Sequence, residues 1–219
     1  MTSPASSSDV PVREPGTRAR SGNAMGRTRA ALLAATAECI ARYGIRKTTM
    51  VDVASKSRVA KATLYNHFRT KDDVLAALVE QQVAELVEVC TSTASASGLT
   101  AALVLAAERV GTHPSLRKAA ADEPALLAPL MVPSSGRGWT AARVGVSGVL
   151  AAAGLPTDAA RVELVLRWVA SQVLWPLPAD AAQSAAEVLV AGLQVPRAAV
   201  DAPPPVLSEA PVAGLGWPG

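Results

Sequence analysis

Nine consecutive residues, Ala60-Lys61-Ala62-Thr63-Leu64-Tyr65-Asn66-His67-Phe68, set an ammonium, a hydroxyl, a phenol, an amide and an imidazole around two apolar positions four apart. At helical spacing Leu64 and Phe68 share one face, which turns Lys61, Ala62, Tyr65 and Asn66 to the other. These groups donate hydrogen bonds, and the acceptors they suit are base edges and phosphate oxygens. Lys61 reaches guanine acceptors or a phosphate, Thr63 offers a hydroxyl and a methyl, and Tyr65 and Asn66 donate to either kind of acceptor. Thr49 and Lys71 stand at the starts of the flanking helices, placed to hold a phosphate through a hydroxyl, free N–H groups and an ammonium.

Other chemistries find little support. His67, beside Phe68, suits a structural or phosphate role better than base reading. His113 precedes Pro114 and reads as a solvated turn residue. Two histidines with Cys39 and Cys90, both in apolar helical patterns, make no metal-ligand set, and both cysteines are expected as small core residues. Asp72-Asp73 open a helix, where carboxylates favour the positive end of the dipole. Ser171 has no histidine partner for a catalytic triad, and no Gly-rich phosphate loop follows a strand. No enzymatic activity, cofactor or metal is expected.

The elements that position the donors are helical. A first helix is predicted from Arg27 to Tyr43, with Leu33, Ala37, Ile40 and Tyr43 on one face and Gly44 at the left-handed C-terminal position. Thr49 and Asp52 form a variant capping box ahead of a short second helix with Met50, Val53 and Ala54 inward. A break at Lys56–Val59 leads to the third helix, Ala60 to Phe68. Thr70 caps a fourth helix from Lys71, whose apolar stripe runs through Val74, Leu75, Leu78, Val83, Leu86 and Cys90. Two short helices joined by a tight turn and braced by a third are a helix-turn-helix, whose second helix fits the major groove. Further helices are expected at about 98–112, 115–121, 123–131, 138–153, 158–174 and 179–193. No alternating run bounded by hairpin turns is present, so the fold class is all-α: a three-helix head joined by a long fourth helix to a helical-bundle body.

The apolar half of the 219 residues is mostly Ala, Val and Leu, with only 3% aromatic, which favours helices packed closely through small side chains. Charge divides along the chain. Residues 1–80 carry 13 Lys+Arg against 7 Asp+Glu, and residues 81–219 carry 8 against 11. A basic front and a mildly acidic rear suit a polyanion-binding head on a different body. Residues 1–24 read as a disordered arm rich in Ser and Pro, in which Arg13, Arg18 and Arg20 are candidates to thread a minor groove. Met25 is an alternative start to Met1. Residues 197–219 read as a flexible tail. No apolar h-region begins the chain, and no uninterrupted apolar run approaches the roughly 18 residues of a membrane span. A cytoplasmic protein with no membrane partner is expected.

Residues 27–87 resemble the TetR-type (TetR/AcrR) DNA-binding domain, with the helix-turn-helix at 49–68. The resemblance rests on Gly44-Ile45-Arg46-Lys47-Thr48-Thr49-Met50-Val51-Asp52-Val53-Ala54, on Val59 through Phe68, and on Lys71. It implies that Thr48, Thr49, Arg58, Ala60, Lys61, Ala62, Thr63, Tyr65, Asn66, His67 and Lys71 form the DNA-contacting set. Two positions depart from the family's pattern. Arg58 stands where the turn usually has Gly, at a cost of about 1–2 kcal/mol if left-handed. Ala60 stands where Ser or Thr usually caps the third helix, a loss of roughly 1 kcal/mol.

The resemblance also implies a body, residues 88–196, that forms a homodimer and holds a small-molecule effector. The last two helices are the dimer candidates: the first carries Val162, Val165, Val169 and Val173 on one stripe and Leu164 and Trp168 on another, which suits burial against both its own core and a partner, and the second carries Ala185, Val188, Leu189 and Gly192. Leu103, Leu127, Leu130, Trp139, Val144 and Trp168 are the candidates to line an apolar effector pocket. The expected function is a homodimeric repressor released from double-stranded operator DNA by a small molecule. The alternative is a helical small-molecule binding or sequestering protein whose helix-turn-helix is vestigial.

Overall fold

A computed structural model describes residues 16–131 and 137–195, with side chains over 24–127 and 138–195. Among the described residues the chain is helical throughout, as α1 (Gly16–Tyr43), α2 (Met50–Ser57), α3 (Lys61–His67), α4 (Lys71–Thr112), α5 (Pro114–Asp122), α6 (Pro124–Met131), α7 (Arg137–Ala152), α8 (Ala159–Leu174) and α9 (Ala179–Gln194). The all-α architecture of head and body is as expected. α1 begins earlier than the predicted Arg27, because lengthening an existing helix needs no new nucleus and Arg18, Ala19, Arg20, Ala24 and Met25 favour it. The tail from 197 and the arm before 16 lie outside the described residues.

α4 spans Lys71–Thr112 as one element, but it is broken at Gly98. Gly98 has φ 87° and ψ 169°, a backbone open to glycine and not to an L side chain. The helix doubles back there. Cys90 Sγ donates to Ala102 O at 3.6 Å, and His113 Nε2 lies 3.1 Å from Gln82 Oε1. A straight helix would separate those pairs by roughly 18 and 46 Å, at about 1.5 Å per residue. By length and composition α4 alone qualifies as a membrane crossing among the described residues. The break makes it instead two packed arms, 71–97 and 99–112, whose inner sides are core.

Three apolar clusters hold the chain together. The head core joins Leu32, Leu33, Ile40, Val53, Leu64, Phe68, Val74 and Leu78 from α1 through the start of α4. The body core joins Cys90, Leu99, Leu103, Val149, Leu150, Val162, Val165, Leu166 and Leu193 with several alanines. A smaller cluster of Ala119, Leu127 and Val173 lies between them, and Ile45 of the head packs into it. Both cysteines are buried and reduced, and burial raises their thiol pKa values, so neither is a ready nucleophile. His113 is half-buried rather than solvated, and burial lowers its pKa below the usual histidine value.

α7 packs closely along the first arm of α4. A Cβ at Gly145 would lie 2.2 Å from Val87 Cγ2, whereas one at Gly148 would meet nothing within 4 Å. Gly145→Ala is therefore expected to destabilise by about 1–3 kcal/mol through overpacking. Gly148→Ala, on the same helix, should stabilise by roughly 0.5–1 kcal/mol. Urea unfolding of the two variants checks the pair, which should move in opposite directions.

Candidate nucleic-acid interface

The short α3 is too small to persist unaided, and its position is set by side chains behind it. Leu64 is fully buried and Phe68 is 3% exposed. Val59 and Met50 pack against the same cluster, and the Arg29 guanidinium lies 4.7 Å from the centre of the Phe68 ring. On the opposite side Lys61, Ala62, Tyr65 and Asn66 are exposed. Thr63 and His67 are half-buried at its edges, with the His67 ring tilted 40° to Phe68 at 6.2 Å. The outward polar face is the one that the Leu64–Phe68 spacing implies.

Arg58 carries the strain expected of a non-glycine in this turn. It sits at φ 56° and ψ 27°, the only positive φ outside glycine among the described residues. Its N–H donates to Ser55 O at 3.3 Å, and Val59 N donates to Ala54 O at 3.2 Å, which closes the turn. Ala60 begins α3 without a side-chain cap; its carbonyl accepts from Leu64 N at 3.0 Å. Both residues are exposed.

The neighbouring helices start on full capping boxes. Thr49 Oγ1 accepts from Asp52 N at 3.2 Å, and Asp52 Oδ2 accepts from Thr49 N at 2.9 Å. Thr70 and Asp73 repeat the arrangement at 3.1 and 2.9 Å. These bonds favour the ionised carboxylates, and they hold both aspartates below the usual carboxylate range, side-chain hydrogen bonds to Thr49 and Thr70 first. Asp73 thus serves the cap of α4.

Three of the expected contact residues have partners within the chain. Thr48 is 2% exposed and donates its hydroxyl to Gly44 O at 2.7 Å, so it braces the turn. Thr49 is exposed, but its hydroxyl proton points to Asp52 Oδ2 at 2.6 Å. The Lys71 ammonium donates to Ile45 O and, at 3.2 Å, to Arg46 O, which ties the start of α4 to the turn before α2. That tie brings exposed Arg46 and Lys47 beside the interface, with Arg69 just before Thr70. Sequence reasoning passed over these three cations, whose signal was their place one to three residues before two helix N-caps.

In the body, the valine stripe of α8 is spent within the chain. Val162, Val165 and Val173 are buried and Val169 is packed on the body core, because α8 lies between α4, α6 and α7. On α9, Ala185 and Leu189 are half-buried, while Gly192 and Val188 are exposed, Val188 at 74%. The exposed large apolar residues along α8, α9 and their ends are Leu164, Trp175, Leu177, Val188 and Val195. The pocket candidates whose side chains are described divide between two clusters and the surface. Leu103, Trp139 and Trp168 belong to the body core and Leu127 to the smaller cluster. Val144 is 70% exposed, since Gly145, Val149 and Leu150 take the inward face of α7. The Leu130 side chain lies outside those described.

Comparison with known proteins agrees with this geometry. Residues 32–78 match the family described as bacterial regulatory proteins, tetR family. No curated protein matches the sequence. The TetR family repressor AlkX from Dietzia sp. strain DQ12-45-1b, implicated in biodegradation of n-alkanes, has a similar structure with a TM-score of 0.60 at 19% identity, over 76% of this chain and 95% of that one. The fatty acid degradation regulator FadR from Bacillus halodurans gives 0.57 at 16% identity, over 77% and 97%. A TetR-family transcriptional regulator from Mesorhizobium loti gives 0.53 at 17% identity, over 77% and 96%. Residues 32–78 thus match the tetR family, and about three quarters of the chain shares the fold of solved TetR-family transcriptional regulators.

Proposed function

We propose that this protein is a sequence-specific repressor that binds operator DNA as a homodimer in the cytoplasm and leaves it when a small molecule occupies the body. The observation that carries the reading is the exposed donor face of α3, Lys61, Ala62, Tyr65 and Asn66, held outward by buried Leu64 and Phe68 inside a tetR-family domain. Two such helices reading a palindrome would stand one DNA turn apart, roughly 34–36 Å. Arg58, Arg46, Lys47 and Arg69 add sequence-independent attraction for phosphates on either side.

Exposed Leu164 on α8 and Val188 on α9 are the apolar anchors we assign to the dimer contact, with Ala185 and Gly192 allowing close approach. For the effector we assign an apolar molecule, because the body core is built from Leu, Val, Ala and two tryptophans. Its leverage is its differential affinity for body conformations that do and do not set the heads at operator spacing.

Changing Lys61 and Tyr65 to Ala should abolish the preference for a selected duplex over random DNA, read by fluorescence anisotropy; an unchanged preference excludes α3 as the reading element. Arg58→Gly removes backbone strain and a cation together. It should raise unfolding stability by about 1 kcal/mol yet weaken DNA binding and flatten its salt slope by about one unit. Leu164→Glu with Val188→Glu should convert the dimer to monomer in analytical ultracentrifugation while leaving the far-UV spectrum intact.

A further inference from the structure

We propose that Glu123, a residue of the body, is a positioning residue through which the body sets the orientation of the DNA-reading head; this rests on the regulator reading above. Glu123 follows α5 and precedes Pro124 of α6. Its Oε2 accepts from Ile45 N at 2.8 Å, and its two oxygens lie 3.1 and 3.2 Å from Arg46 N. Carboxylate bonds to backbone N–H groups are charge-assisted and stronger than neutral ones. The carbonyls of the same two residues are taken by the Lys71 ammonium. Both polar sides of the turn are therefore gripped by opposite charges, one from the body and one from the start of α4.

The surroundings make this turn a joint. Gly44 opens it at φ 85°, and a Cβ there would stand 3.4 Å from Glu123 Oε2 in a conformation that L residues avoid. The Ile45 side chain packs with both the head core and the Ala119–Leu127–Val173 cluster. Ser115 at the start of α5 donates to Ala37 O of α1 at 2.8 Å. Arg117 of α5 donates to Val173 O, so the same body segment is fastened to α8. A shift of α8 or α6 that withdraws Glu123 would free the N–H groups of the turn two residues ahead of the Thr48–Thr49 cap. Lys71 would then hold the turn to the head alone.

The test uses the full chain with Glu123→Ala and the near-isosteric Glu123→Gln. Hydrogen exchange at the Ile45 and Arg46 amides is measured together with affinity for a duplex selected by the wild type from a random pool and for an unselected duplex. Faster exchange at both amides is expected. Affinity for the selected duplex should fall about 5- to 150-fold, the range of an ordinary coupling between sites. Affinity for the unselected duplex and the melting temperature should change little, with Gln intermediate because it keeps one acceptor. Unchanged exchange, equal losses on both duplexes that follow a lowered melting temperature, or tighter binding by the variants would each overturn the role. A wild type that enriches no duplex sinks the regulator reading and this role with it. One that enriches a duplex which both variants bind equally well sinks the role alone.

Discussion

The burial of Leu64 and Phe68 is the constraint on which the rest of the head depends. α3 is seven residues long, far below the length at which an isolated helix holds in water. Without the anchors its donors would have no fixed direction. Removing such side chains typically costs about 2–5 kcal/mol for Leu and 3–5 for Phe, a large share of the stability of an ordinary domain. Those two residues turn Lys61, Tyr65 and Asn66 into a rigid row, and a rigid row is what groove recognition requires.

Around that anchor the head keeps two defects and two compensations. The left-handed Arg58 and uncapped Ala60 loosen the turn before α3. The capping boxes at Thr49 and Thr70 tighten the helices on either side, and Lys71 joins their starts through the Ile45 and Arg46 carbonyls. Strain kept at a single exposed cation, within a frame that over-determines it, is the pattern seen where backbone strain serves a site.

Much of the head was legible because local signals agreed. Helical periodicity, the Thr-x-x-Asp caps and Gly44 all point to the helices found, and the Leu64–Phe68 spacing names the outward face of α3. What local pattern did not show depends mostly on partners distant in the chain, Thr48 apart, whose hydroxyl turns back only four residues. Thr48 reads as a surface hydroxyl until its bond to Gly44 O and its burial are seen. The valines of α8 and its Leu164 stripe are equally apolar in sequence, and only the packing of α4 and α7 decides which faces inward. Gly98 is visible as a break, but not the doubling back that sets Cys90 beside Ala102. Glu123 reaches Ile45 across 78 residues, a separation at which no local pattern speaks.

The central claim is that α3 is the surface laid against base edges. Backbone amide chemical shifts of the isotope-labelled protein, followed as a selected operator duplex is added, test it most directly. The account predicts the largest changes at residues 58–67, with smaller ones at the starts of α2 and α4. Changes confined to the body, with residues 58–67 unmoved at saturation, would contradict it.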